Sequence, residues 1–220
     1  MTDESGFSAD EYKTMAQRLV SAGEDVRRKL DELTVKALTQ RDLAEQEVRE
    51  VLTAITEGVS LGAAERANEV RTALGDALKG MDDALGHAAE AMHLAIGEAS
   101  SRAQEFAEQD LKQGVDELRN LEGMFLDTVT QVAQGASTLI REEMNDLVAH
   151  TRNAGTGTGE RVRAVTDELG NRLRATAGEA GDAGKRAARE VGARVATLAS
   201  RKLAEVAERI ARKAESLKQK

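Results

Sequence analysis

Not one of the 220 residues is proline. Proline is the strongest helix breaker and a common marker of loops, so its absence allows helices to extend over most of the chain. Alanine, Leu, Glu and Arg are abundant, and these residue types favour helices intrinsically. Aromatic residues make up only 2%, which argues against a thick core of large rings. The sequence therefore predicts an all-α protein stabilised by many small contacts along long helices.

Apolar residues recur at intervals of eleven, as at Leu74, Leu85 and Ile96. Eleven residues make close to three helical turns, so such a stripe drifts by only about 20° per repeat. We therefore predict long amphipathic helices with an eleven-residue periodicity, arranged as an elongated antiparallel bundle or a helical oligomer. The predicted apolar interaction stripe consists of Val70, Leu74, Met81, Leu85, Met92, Ile96, Leu118, Phe125, Val129 and Leu147.

Three glycines follow this register, Gly75, Gly86 and Gly97, each directly after a large apolar residue. A glycine inside a helix costs about 1 kcal/mol relative to alanine. Small residues allow two helix backbones to approach closely, which offsets this cost. The pattern predicts close helix–helix contact at these three positions.

Capping and glycine signals divide the chain into segments. Ser8 and Glu11 have the spacing of a capping box, and Phe7 and Tyr12 that of a hydrophobic staple. Gly23 is placed to end the first helix. The predicted segments are a disordered N-terminus at 1–7, N-terminal helices at 8–57, a kink or turn at 58–62, a long acidic central helical segment at 63–150, a Gly/Thr linker at 151–159 and a basic C-terminal helical segment at 160–220.

The charge is distributed unevenly. Residues 160–220 carry 15 Lys or Arg and 9 Asp or Glu, a net charge of +6, and the rest of the chain carries −14. Glutamates interrupt the basic segment and aromatic residues are absent from it, so we do not expect nucleic acid as a partner. Contact with an anionic membrane surface stays open. The basic tail comprises Lys185, Arg186, Arg189, Arg194, Arg201, Lys202, Arg209, Arg212 and Lys213.

The candidate motifs for catalysis or ligand binding in this sequence are incomplete. The segment GEAGDAGKR at 178–186 lacks the first glycine and the final Ser or Thr of a phosphate-binding loop. Glu90 and His93 form a single Glu-x-x-His step, whereas a dimetal bundle needs two. The chain has no cysteine, so it offers no thiolate ligand or nucleophile. We expect no enzymatic activity, no cofactor or metal, and no small-molecule substrate.

Targeting signals are also missing from the sequence. The acidic start MTDESGFSADEYK lacks the apolar region of a secretory signal. Nowhere do eighteen apolar residues follow one another, as a membrane-spanning helix requires. By default, we expect a cytoplasmic protein.

Two stretches, GEDVRRKLDELTVKAL (23–38) and AMHLAIGEASSRAQEFAEQDLKQGVDELRNLEGMFLDTV (91–129), resemble an uncharacterised bacterial all-helical family, a domain of unknown function. This resemblance implies an all-helical fold and supplies no functional site. More loosely, the proline-free, Ala-rich helices are similar to phasins, which coat storage polyester granules, and to apolipoproteins. That second resemblance implies a surface-coating function.

Two functions are therefore open. In the first, the chain is a non-enzymatic scaffold or self-assembly protein, with the stripe buried between helices and a homo-oligomer expected. In the second, it is an amphipathic coat that opens to place the stripe on a storage granule, lipid droplet or membrane. Alanine and glycine beside each large residue favour close helix–helix contact, because a coating face would gain more from bulky side chains. The sequence favours the scaffold.

Overall fold

The computed structural model describes residues 7–66, 68–101, 108–176 and 188–218. Within these ranges the chain forms helices and no strand, which confirms the predicted all-α fold. No helix in the described ranges is both long and apolar enough to cross a bilayer. The helices are α1 (Ala9–Ala22), α2 (Val26–Thr39), α3 (Glu45–Ala64), α4 (Val70–Ser101), α5 (Glu108–Gly135), α6 (Thr138–Ala154), α7 (Gly157–Thr176) and α8 (Ala188–Lys218).

The start of α1 confirms the predicted capping box. The backbone N–H of Glu11 donates to Ser8 Oγ at 3.3 Å, and the Ser8 N–H donates to the Glu11 carboxylate at 2.7 Å. The Phe7 ring packs edge-on against Tyr12, with 5.8 Å between centroids. The predicted disordered N-terminus at 1–7 therefore does not extend to Phe7. Residues 1–6 of that segment lie outside the described residues. At the other end, Gly23 takes a left-handed conformation with φ 76° and ends the helix.

Helix α4 lies at the centre of the bundle and contacts α2, α3, α5, α6, α7 and α8. Its buried residues are mostly alanine, interleaved with a few larger apolar side chains. Because an alanine side chain is short, these positions allow neighbouring helices to approach α4 closely. The buried alanines of α4 are Ala73, Ala77, Ala84, Ala88, Ala89, Ala91, Ala95 and Ala99.

Of the predicted kink or turn at 58–62, the turn is wrong, because α3 continues through these residues and ends at Ala64. Gly58 and Gly62 lie against α1. A Cβ at Gly62 would stand 2.5 Å from the carbonyl oxygen of Gln17. These glycines permit close packing of two helices and do not interrupt the helix. The central segment 63–150 is divided among α4, α5 and most of α6, so it folds back on itself.

The predicted linker at 151–159 is mostly helical. Helix α6 extends to Ala154 and α7 begins at Gly157, so only residues 155–156 lie between them. Asp82 of α4 explains the early start of α7, since its carboxylate accepts the N–H groups of Gly157 (2.8 Å) and Thr158 (3.1 Å). Glu122 of α5 accepts the N–H of Thr156 at 3.2 Å. Acidic side chains at a helix N-terminus stabilise its free N–H groups.

The glycines in the eleven-residue register do not bring helix backbones together, contrary to the prediction. A Cβ at Gly75 would meet only Leu147 Cδ2, at 4.0 Å, and a Cβ at Gly97 would meet no atom within 4 Å. Gly86 lies against the guanidinium group of Arg161, a side chain. Gly80, which is outside the register, is the α4 glycine that lies against a backbone, that of Arg27 in α2.

Candidate functional site

Most of the predicted apolar interaction stripe is buried inside a single copy of the chain. Val70, Leu74, Met81, Leu85, Met92 and Ile96 follow one another along α4, and all six are buried. Leu118, Phe125 and Val129 of α5 are also buried and belong to the same core. The stripe is therefore in contact with other helices of its own chain.

Leu147 of α6 is the exception, being only partly buried against the core. It lines a groove of about 570 Å³ between α4, α5 and α6, together with the stripe residues Phe125 and Val129. The groove reaches the turn at Gly155 and Thr156. Three stripe residues therefore line an open groove.

Two described residues of the basic tail, Lys202 and Arg209, pair with acidic residues of α4. Lys202 Nζ is 3.0 Å from the Glu98 carboxylate. A guanidinium nitrogen of Arg209 is 3.6 Å from the Glu90 carboxylate. Arg212 pairs with Glu208 at 3.9 Å within α8, and Arg201 is exposed. The remaining residues of the basic tail cannot be placed. Lys185 and Arg186 lie outside the described residues, and so do the side chains of Arg189, Arg194 and Lys213.

A polar cluster joins α2, α4 and α7. His87 Nε2 of α4 lies 3.8 Å from Asp31 Oδ1 of α2, and the two side chains are 18% and 19% exposed. Asp83, one turn before His87, accepts two hydrogen bonds from Arg27 of α2, at 2.6 and 3.0 Å. Arg161 of α7 reaches the same region, where its guanidinium group lies against Gly86.

The surroundings shift the pKa values of both central groups. Burial raises the pKa of Asp31 from 3.8 to about 6, and the negative charge of Asp83 adds to this shift. Arg161 and Arg27 lower the pKa of Asp31 by smaller amounts. Burial also lowers the pKa of His87, and the positive charge of Arg161 lowers it further. Each group is therefore shifted towards its neutral form.

A family model matches residues 2–212 and is described as a family of unknown function, DUF6781. The match covers nearly the whole chain. The chain belongs to this family. No curated protein and no solved structure matches it.

For this member of DUF6781, sequence reasoning identified the stripe residues but missed the polar cluster. Asp83 and His87 are four residues apart, so they share one helix face, and this spacing was the available local signal. Asp31 and Arg161 come from other helices, and their proximity depends on tertiary structure. Within the described ranges, no group of three or more His, Asp or Glu side chains has the geometry to hold a metal ion.

Proposed function

We propose that this protein is a non-enzymatic helical scaffold, with its Ala/Gly-rich apolar stripe packed permanently between its own helices. The observation that carries the proposal is the burial of nine of the ten stripe residues within one copy of the chain. Fully burying a Leu, Val or Met side chain contributes about 1.5–3 kcal/mol. Burial of the stripe residues therefore stabilises the folded chain, and exposing them is costly.

The charge distribution supports the same proposal. Lys202 and Arg209 of the basic tail pair with Glu98 and Glu90 of α4. Part of the positive charge that could attract an anionic membrane is therefore already balanced within the molecule. Surface ion pairs contribute little stability, so they support the closed arrangement and do not enforce it.

The alternative, a coat on a granule or membrane, requires a different conformation. The helices packed around α4 and α5 would have to separate before Leu85 or Leu118 could reach a surface. Both side chains are fully buried, and the surface would have to replace all their helix contacts. We therefore expect the described helices to stay packed in the presence of lipid.

Self-assembly, the other part of the proposal, needs a surface other than the stripe. In the described ranges, the exposed large apolar residues are Leu61, Leu94 and Leu139. They lie on three different helices, α3, α4 and α6. A second copy of the chain is the expected partner, and the stripe is expected to keep its intramolecular contacts in the assembly.

Circular dichroism and analytical ultracentrifugation of the purified chain, with and without neutral and anionic vesicles, test this proposal. We expect high helicity and a fixed oligomer in the absence of lipid, and no change when vesicles are added. A large gain of helicity on either type of vesicle, with co-sedimentation, would support the coat and overturn the scaffold.

A pair of variants separates the stripe from the surface. Leu85→Asp places a charge at a fully buried stripe position, whereas Asn145→Asp places it at an exposed position of α6. We expect L85D to unfold the protein and N145D to leave its thermal midpoint nearly unchanged, because a buried unpaired charge is very costly. Equal midpoints for the two variants would contradict permanent burial of the stripe.

A further inference from the structure

One buried oxygen in the polar cluster has an incomplete environment. Asp31 Oδ1 is buried and makes no hydrogen bond with any residue in the described ranges. A buried acceptor without a donor is costly, and the cost is larger when the group is charged. The ionised carboxylate of Asp31 is therefore poorly accommodated where it lies.

The neighbouring groups explain why Asp31 Oδ1 lacks a donor. Arg27, on the same helix, donates to Asp83 instead. His87 Nε2 lies 3.8 Å away, which is within range of an ion pair but too long for a hydrogen bond. When neutral His87 carries its proton on Nδ1, Nε2 and the ionised Asp31 carboxylate are both acceptors. One further proton, on either group, and a shift of less than 1 Å between α2 and α4 would then complete a hydrogen bond.

We propose that Asp31 and His87 form a shared proton-binding site, and that its proton ties α2 to α4 by completing the hydrogen bond between the two side chains. The site is a pH-sensitive contact inside the fold, and it is independent of the proposed scaffold function. Because Gly80 brings the backbones of α2 and α4 together one turn before Asp83, the site lies where these helices are already in close contact.

The charged groups around the pair define its response to pH. Asp83 and Glu32 raise the pKa of Asp31, whereas Arg161 and Arg27 lower it. Glu90 and Asp83 raise the pKa of His87, against the larger effects of burial and Arg161. Among the described residues, Arg161 is the neighbour that lowers the pKa of both members of the pair. The charged groups facing the site are thus Arg27 and Glu32 on α2, Asp83 and Glu90 on α4, and Arg161 on α7.

The sign of the pH effect follows from proton linkage. A carboxylate with a raised pKa in the folded state stabilises the fold below its unfolded pKa, and this stabilisation is lost as the pH rises through the folded pKa. For Asp31 these limits are 3.8 and about 6. The histidine acts in the opposite direction, because its lowered pKa favours the folded state at higher pH. Comparison with a variant that lacks only the carboxylate measures the contribution of Asp31 together with its coupling to His87.

The first test compares Asp31→Asn with the wild-type chain by urea denaturation between pH 7.5 and pH 5. We expect the folded-to-unfolded ratio of the wild type, relative to D31N, to increase about tenfold over this range. The matched control is Asp127→Asn, which removes an exposed carboxylate paired with Arg152. If D31N and D127N show the same pH dependence, the proposal is wrong.

The second test asks whether the proton is shared. A double-mutant cycle with Asp31→Asn and His87→Gln measures the coupling between the two side chains. We expect coupling that is severalfold larger at pH 5.5 than at pH 8. Coupling that is independent of pH would show that Asp31 binds its proton without His87, and would overturn the shared site.

A third measurement does not depend on folding of the Asp31 variant. The side-chain carboxyl and imidazole NMR signals of Asp31 and His87 can be titrated in the wild-type chain and in Arg161→Gln. We expect R161Q to move both titration midpoints to higher pH, because Arg161 lowers the pKa of both groups. His150→Gln, at an exposed histidine of α6, serves as the control and should leave both midpoints unchanged. Unchanged midpoints in R161Q would contradict the arrangement.

Discussion

The two sides of α4 that face α2 and α6 are packed in different ways. On the α2 side, Gly80 lies against the backbone of Arg27, and a Cβ there would also come within 3.1 Å of the Asp31 nitrogen. On the α6 side, Gly75 faces a groove of about 570 Å³, and a Cβ there would touch only Leu147, at 4.0 Å. At Gly80 the neighbouring backbone leaves no room for a side chain, whereas Gly75 has free space beside it.

The difference shows that glycines within one helix can have different structural roles. Gly75 and Gly80 are five residues apart in one helix, so they point about 140° apart around its axis. Both carry the same cost in helix propensity. Only Gly80 offsets this cost through close backbone contact. The α2 side is therefore the more constrained one, and it also carries the Asp31–His87 site.

Replacing Gly80 should give the largest effect among the variants that compare the two sides. In Gly80→Ala, the new Cβ overlaps the Arg27 carbonyl, and a backbone oxygen cannot move aside as a flexible side chain can. Overpacking of this kind costs about 1–3 kcal/mol, which exceeds the gain in helix propensity. We expect a loss of about 2 kcal/mol in the free energy of unfolding, measured by urea denaturation. A G80A variant as stable as the wild type would show that α2 can separate from α4 at little cost.

The next largest effect concerns the α6 side, where Asp82 holds the start of α7. In Asp82→Ala, the N–H groups of Gly157 and Thr158 lose their acceptor. Loss of a helix cap typically costs about 1 kcal/mol, and two bonds are lost here, so we expect about 1.5 kcal/mol. Faster amide exchange at Gly157 and Thr158 should accompany the loss. Asp82→Asn keeps an acceptor oxygen and should retain part of the stability. Unchanged exchange in D82A would mean that α7 starts independently of α4.

Local signals in the sequence predicted local features well. The capping box of Ser8 and Glu11 and the left-handed Gly23 depend on residues within one turn, and both were confirmed. The all-α fold was also predicted, because the absence of proline and the composition act along the whole chain. The predicted ends of the helices were less accurate. The segment 58–62 is predicted as a kink or turn, although α3 continues through it against α1. The segment 151–159 is predicted as a linker, although most of it is helical and Asp82 and Glu122 accept hydrogen bonds at the start of α7.

Features that depend on two distant segments could not be predicted. The eleven-residue register pointed to Gly75, Gly86 and Gly97 as contact glycines, but the contact at Gly80 requires knowledge of where α2 lies. The polar cluster could not be predicted for the same reason, since Asp31 and His87 are 56 positions apart. The eleven-residue periodicity, as an organising principle of assembly, stays a prediction.

The smallest effect is expected at Gly75, and it has the opposite sign. In Gly75→Ala the new methyl group meets Leu147 at an ordinary van der Waals distance, so only the change in helix propensity remains. We expect an increase of about 0.5–1 kcal/mol in the free energy of unfolding, measured by urea denaturation. Gly97→Ala is the matched control, because its Cβ would meet no atom within 4 Å, and it should give a similar gain. A clear loss of stability in G75A, with a gain in G97A, would mean that α6 lies closer to α4 in solution and that the groove is closed. The two sides of α4 would then be packed alike, and the contrast between Gly75 and Gly80 would disappear.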